Sequence, residues 1–270
     1  MNLIDIHAHL DFKDYDADRA AVIQRTREAE CGVINVGVDL ATSKAVIKLA
    51  EENDLMWATV GFHPIDCQGD ALTMGGVVEF ENDWRELEKL AAHDKVVAIG
   101  ECGLDYYRLE RNIKSQTLDK IKERQIEIFE KQIELAVRLD KPLMLHVRDA
   151  YNEVWEILKR FSMVRGNVHC FTGDWEQAQK FLDLGLTLSF TGIITFANQY
   201  DEVLARVPLD KIMAETDSPL LAPAPYRGQR NEPLYVAEVV KKIAEIKDLP
   251  LPEVAAALLN NAIAFIGDLC

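Results

Sequence analysis

The sequence predicts an α/β chain folded as a (β/α)8 barrel, one domain spanning residues 1–270. Three observations carry that expectation. Eight short β-rich runs alternate with longer helical patterns from one end of the chain to the other. No low-complexity stretch or Pro/Gly-rich linker divides the 270 residues, an ordinary length for one such barrel. No GxGxxG or GxxxxGK[ST] loop follows the first strand, which removes the commonest reason to prefer the runner-up, an open doubly wound sheet.

In order, the first strand is expected at 3–9 (LIDIHAH), followed by a helix over 18–30. Strand two at 33–38 (VINVGV) leads into helix 41–53, and strand three at 57–62 (WATVGF) precedes helix 83–92. Strand four at 96–101 (VVAIGE) is followed by a long helix over 117–139, which Pro142 separates from strand five at 143–147 (LMLHV). Helix 150–160 joins strand six at 167–170 (NVHC). Helix 174–184 shows the local grammar: Asp174 caps its start, Phe181, Leu182 and Leu184 supply an apolar face, and Gly185 ends it. Strand seven at 186–190 (LTLSF), helix 198–205 and strand eight at 211–215 (KIMAE) complete the series.

Composition bounds the function. Hydrophobic residues make up 49%, enough for a sizeable core. The 30 Lys+Arg against 45 Asp+Glu give a net charge of −15, which speaks against coating nucleic acid through a broad basic face. It leaves room for an enzyme that meets phosphate at a small, locally positive site, and its main effect is solubility. The start lacks the basic and long apolar regions of a signal peptide, and no 18-residue apolar run gives a membrane span. The five cysteines, Cys31, Cys67, Cys102, Cys170 and Cys270, are odd in number and form no CxxC pair. Reduced thiols in a cytoplasmic protein are therefore expected.

Chemistry collects at the strand ends, where a barrel builds its active site. Side chains alternate along a strand, so Asp5, His7 and His9 share one face and Ile4, Ile6 and Ala8 the other. The polar set is expected to face the interior and the apolar set the helices. HxH alone is a weak metal signal. The other strand ends strengthen it: His63 in VGFHP, Glu101 in IGECGLDYY, His146 in LHVRDA, His169 in VHCF and Asp217 in ETDSP. Of six histidines only His93 lies elsewhere, in the surface-like AAHDK. Burying five histidines with two carboxylates needs compensation, and divalent metal ions supply it. By parity Ile99 and Glu101 share a face, as do Met144, His146 and Arg148, and Met213, Glu215 and Asp217. Cys102 and Cys170 are then expected to point toward the helices as small buried hydrophobes. Glu215 and Asp5 are expected to support ligands rather than to be ligands.

The motifs DIHAHLDF, GFHP, AIGECGLDYYR, HVRDA, VHCFTG, SFTGIITF and AETDSPLLAPAPYRGQRNEP together resemble the TatD family of metal-dependent deoxyribonucleases, within the amidohydrolase-like barrels. The resemblance covers nearly the whole chain. The stretch 108–124 is longer than the family pattern, and the NAIAFIG ending matches it loosely. The resemblance implies two divalent ions, Mg, Mn or Zn. One would be surrounded by His7, His9, Glu101 and Asp217, and the other, bridged by Glu101, held by His146 and His169. Strand four has no lysine at the position where many amidohydrolases carry a carboxylated one; Lys95 stands at its opposite end. His63 and Arg148 match positions that hold the scissile phosphate, with Arg227, Arg230 and Asn231 as further substrate-binding candidates. Asp217 would orient a metal-activated water and accept its proton, making Asp217 and Glu101 the catalytic pair. Tyr106 and Tyr107 are candidates for base stacking, and Ser218 reads as a loop hydroxyl.

The leading functional expectation is a metal-dependent DNase with DNA as its partner, exonuclease-like on single-stranded or frayed ends. An amidohydrolase or small-ester hydrolase on the same barrel is the alternative, and a non-catalytic metal-binding scaffold ranks last. Nothing in the residues fixes the oligomeric state; a monomer suffices.

Overall fold

The computed structural model describes residues 1–65, 80–107, 109 and 115–267. Eight parallel strands form one sheet in chain order: β1 (Leu3–Ala8), β2 (Cys31–Val36), β3 (Met56–Val60), β4 (Val96–Asp105), β5 (Leu143–Arg148), β6 (Gly166–Val168), β7 (Thr187–Phe190) and β8 (Ile212–Ala214). Each is within a few residues of its expected place. The circle closes beyond β8, where Ala8 bridges Ser218 in parallel fashion. There the Asp217 amide donates to His7 O at 2.9 Å and the His9 amide to Ser218 O at 2.8 Å. Closure therefore happens at the C-terminal end, among the residues that carry the chemistry.

The helices are α1 (Arg19–Glu28), α2 (Leu40–Glu51), α3 (Phe80–Ala91), α4 (Ser115–Leu139), α5 (Tyr151–Leu158), α6 (Trp175–Asp183), α7 (Asp201–Arg206), α8 (Val236–Lys247) and α9 (Leu251–Ile266). Helix α6 begins in a reciprocal capping box between Asp174 and Gln177. Helices α8 and α9 extend the expected series. The apolar set Val236, Val239, Val240 and Ile243 buries α8 against the barrel at helical spacing. Among the described residues no single helix is long and apolar enough to cross a membrane.

Two apolar layers follow from strand alternation. Val33, Leu143, Leu145, Val147, Ile212 and Ala214 pack outward with the helices. Ile34, Met144 and Met213, their strand neighbours, pack inward, where Ala262, Phe265 and Ile266 of α9 meet them. Helix α9 thus plugs the end of the barrel opposite the chemistry.

Parity fails at two places. The β1–β2 register slips between Asp5 and Ala8. Before the slip Ile4 and Ile6 face the inner layer, contrary to expectation; after it Ala8 packs outward and His7 turns inward. Asp5 consequently does not share the face of His7, and its carboxylate takes bonds from Thr216 N (2.8 Å) and Oγ1 (2.5 Å). The β4–β5 register slips between Ile99 and Cys102, so Ile99 packs outward beside Cys102 and Leu104 while Glu101 turns in. Cys102 is buried in the outer layer as expected. Cys170 is not: it has φ 45, is half-buried, and has its Sγ 3.8 Å from Thr191 Oγ1. Cys67, Cys270 and most of 108–114 lie outside the described residues.

Candidate metal centre

The centre is assembled from the ends of six strands, β1, β3, β4, β5, β6 and β8. At Gly103, φ is +140 and a side chain would put its Cβ 2.0 Å from His146 O, so only glycine lets β4 run this close to β5. That approach sets Glu101 against His146 and His169. The Glu101 Oε1 atom lies 2.8 Å from His146 Nδ1 and 2.9 Å from His169 Nε2. Its Oε2 lies 3.4 Å from His7 Nε2 and 3.9 Å from His9 Nε2. Asp217 Oδ1 is 3.8 Å from His7 Nε2 and 3.5 Å from His9 Nε2. One carboxylate therefore divides its oxygens between two donor sets. His63 Nε2 stands 3.4 Å from Glu101 Oε1, on the second of them.

The far side of each imidazole decides what its near side can do. His9 Nδ1 is 3.0 Å from Val36 O, a pure acceptor, so this nitrogen carries the proton and Nε2 keeps its lone pair. His146 Nε2 faces Asp105 Oδ2 at 3.1 Å, which leaves Nδ1 bare when the ring is neutral. His169 Nδ1 faces Glu215 Oε1 at 3.6 Å. The Glu215 carboxylate is itself pinned by the Cys170 amide (2.6 Å) and Ser189 Oγ (2.8 Å). His63 is the reverse case. Its Nδ1 accepts the Ile65 amide at 3.1 Å, so its proton sits on Nε2 and that atom is a donor.

These tautomers fit divalent ions. His7 Nε2 and His9 Nε2 are 3.2 Å apart, and His146 Nδ1 and His169 Nε2 are 3.1 Å apart. Neutral His9, His146 and His169 in the tautomers just derived direct bare nitrogens into the same small spaces, together with carboxylate oxygens. His7 Nδ1 is buried with no hydrogen-bond partner among the described residues, so the partner of that ring must be sought at Nε2. Two overlapping sets, His7–Glu101–His169 and His7–His9–Asp217, each bring their donor atoms within 4.8 Å of one another; His63–Glu101–His146 is equally close, but there His63 turns a protonated Nε2 inward. Imidazole with carboxylate is the donor chemistry of Zn, Mn and Fe sites more than of Mg.

Burial opposes ionisation of Glu101, but the His169, His63 and His7 rings outweigh it and hold the carboxyl well below its ordinary range. Asp217 is likewise held down, against burial, by His9 and His7. Burial, followed by the Glu215 and Asp217 carboxylates, pushes the Cys170 thiol well up, so it stays a thiol beside the centre.

The remaining candidates separate. Arg148 is exposed at the mouth, its guanidinium stacked 3.6 Å over the Tyr107 ring. Arg227 stacks 3.6 Å over Phe196 and donates to Ala222 O. Arg230 makes a bidentate pair with Asp18 at 2.7 and 2.8 Å, which ties its loop to the start of α1. Asn231 is fully buried, and its Nδ2 donates to Thr216 O (2.9 Å) and Leu220 O (2.6 Å). Its backbone carbonyl takes the Tyr15 hydroxyl at 2.6 Å. The structure thus places Asn231 in the bracing of the turn that carries Asp217, and Arg230 in a tie between its own loop and the start of α1. Asp105, which orients His146, is the residue that motif reading passed over, although it stands two positions before Tyr107 on the inward face of β4.

The chain is similar to known proteins over nearly its whole length. A family model described as TatD related DNase matches residues 4–267. The chain is 40% identical to the uncharacterized metal-dependent hydrolase YabD of Bacillus subtilis, across 96% of this chain and 97% of that protein. It is 36% identical to the uncharacterized metal-dependent hydrolase YcfH of Escherichia coli, across 97% and 94%. Among solved structures, that of YJJV, a TatD homologue from Escherichia coli, matches with a TM-score of 0.83 at 30% identity, covering 98% of this chain and 97% of that one. A dihydroorotase from Campylobacter jejuni, with a TM-score of 0.53 at 15% identity over 97% of this chain and 81% of that one, shares the fold alone.

Proposed function

The chain belongs to the family of TatD related DNases and is a metal-dependent hydrolase of ester bonds; on that premise we propose that it cuts DNA phosphodiester bonds at a two-ion centre joined by Glu101. The observation that carries the reading is the division of the Glu101 oxygens, Oε2 toward His7 and Oε1 toward His146 and His169. His7, His9 and Asp217 with Oε2 would hold one ion, and His146 and His169 with Oε1 the other. Bound there, the ions supply Lewis-acid polarisation of the phosphoryl oxygens and make water acidic enough to attack near neutral pH.

The chain's own residues do the rest. Asp217 Oδ1 faces His7 and His9, and the carboxylate takes the proton of the attacking water. The Nε2–H of His63 donates to a non-bridging oxygen of the scissile phosphate, a role its tautomer suits and metal ligation does not. With the positive charge concentrated at the centre, a chain of net charge −15 binds a polyanion without a basic face.

Hydrolysis of a cyclic amide is the competing chemistry. The lysine-bridged form of it has no support here. Lys95 stands at the N-terminal end of β4, where its Nζ donates to Asn53 O and Met56 O. The deciding assay incubates chelator-stripped protein with single- and double-stranded DNA, and in parallel with a cyclic amide, while Mg, Mn or Zn is returned. DNA cleavage restored by metal and abolished in Asp217→Ala is expected. Amide turnover without nuclease activity would overturn the proposal.

A further inference from the structure

A cavity of about 690 Å3 opens on the same end of the barrel, between the ends of β4, β5 and β6. Its wall is two hydrogen bonds from His146, through Asp105. The Tyr107 amide donates to Asp105 Oδ1 at 2.8 Å, while Asp105 Oδ2 holds His146. The charged groups lining it are Lys122 and Arg148 against Asp149, Glu153 and Asp174, a formal excess of one negative charge. Both cations are also turned onto rings. Lys122 Nζ lies 4.5 Å from the centroid of Tyr106, and the Arg148 guanidinium lies 3.6 Å from that of Tyr107. A phosphate gains little inside such a cavity. A flat, neutral, hydrogen-bonding group gains much, because it meets stacked planar surfaces beside the amides of Asn152 and Gln177 and the Thr172 hydroxyl.

The route onward does not attract a polyanion. A second recess of about 490 Å3 shares Thr172, Gly173 and Asp174 with the first and continues toward Tyr200. Its charged lining is Asp174, Glu176 and Glu202. The nearby cations are already engaged, Lys180 with Glu176 at 3.0 Å and Arg206 with Glu202 at 3.5 Å, so a sugar–phosphate backbone entering the recess gains no counter-charge there.

We propose that the 690 Å3 cavity receives the nucleobase of one strand-terminal nucleotide, stacked against the Arg148–Tyr107 pair, while the adjoining phosphodiester lies at the metal centre. This rests on the DNase reading and adds where the strand stops. A base can enter only when unpaired, which selects single-stranded or frayed ends over duplex interior. Tyr107 is then a specificity residue: it holds the base and takes no part in breaking the bond.

The test uses the full chain with Mn2+ and single-stranded oligonucleotides that carry either a normal or an abasic residue at the terminal position, each end in turn. At one end kcat/KM is expected to favour the base-bearing strand at least fivefold, the low end for stacking of a base on an aromatic ring. Tyr107→Ala brings that ratio near one, and Tyr107→Phe, which keeps the ring, restores it. Equal rates for both strands at both ends, or a ratio that survives Tyr107→Ala, would overturn the proposal. Failure to cut any oligonucleotide would instead refute the DNase reading. The cavity is then read by saturation-transfer NMR with deoxyadenosine monophosphate and deoxyribose 5-phosphate. Transfer to the adenine protons that disappears in Tyr107→Ala supports the subsite, and no transfer refutes it.

Discussion

Replacing Asn231 by alanine separates two roles that its place in PYRGQRNEP leaves open. The side chain is fully buried and spans the turn that carries Asp217, donating to Thr216 O on one side and Leu220 O on the other. Its Oδ1 also accepts the Glu232 amide at 2.9 Å. Removing the amide leaves Thr216 O buried without that donor, a loss of about 1–3 kcal/mol, and costs about 1 kcal/mol for each of the other two bonds, which lie nearer water. The sum is about 3–5 kcal/mol, a large part of the roughly 5–15 kcal/mol that holds a typical domain folded. It corresponds to a fall in Tm on the order of 6–20 °C for a chain of this size. Urea titration followed by circular dichroism reads the stability, and steady-state cleavage of a single-stranded substrate reads kcat and KM. A drop of this size with kcat falling more than KM rises is expected, because Asp217 sits on the turn that loosens. Stability unchanged within about 0.5 kcal/mol together with a raised KM for DNA would refute the bracing role and return Asn231 to the substrate.

Three further outcomes follow from the geometry. His63→Ala should leave metal content unchanged while lowering DNA cleavage about a hundredfold, because its Nε2 is a donor rather than a ligand; loss of an ion in metal analysis would contradict this. Asp105→Asn should weaken one of the two ions by about 10- to 100-fold in a competitive titration with little change in Tm, since it releases the ring of His146 without opening the core. Gly103→Ala should destabilise by more than about 2 kcal/mol and lower metal content, because a Cβ 2.0 Å from His146 O forces β4 away from β5; a normally stable, fully loaded variant would show that the strands have room to move.

Strand order and the gathering of His7, His9, Glu101, His146, His169 and Asp217 at one end were legible because a barrel sends every strand end to the same face. Individual side chains were less so. Period-two reasoning holds only between bulges, and the slips after Asp5 and Ile99 reversed the assigned faces of Asp5, Ile4, Ile6 and Ile99. Cys170 departed because its φ of 45 takes it out of strand geometry altogether. Sequence distance hid the partnership of Asn231 with Thr216, and of Arg230 with Asp18, and no local pattern distinguishes such bracing from substrate contact. Helix α8 carried a readable signal in Val236, Val239, Val240 and Ile243. The plug formed by α9 needed the inner layer of Ile34, Met144 and Met213 to be known first.

The central claim is that Glu101 joins two donor sets into one centre, and metal counting tests it most directly. The unsubstituted chain and Glu101→Ala are stripped with chelator, reloaded with excess Mn2+ or Zn2+, desalted and assayed for bound metal per chain. Two ions are expected in the former and at most one in the latter, with DNA cleavage lost in parallel. Two ions still bound in Glu101→Ala would contradict the bridge, whatever the activity of that variant.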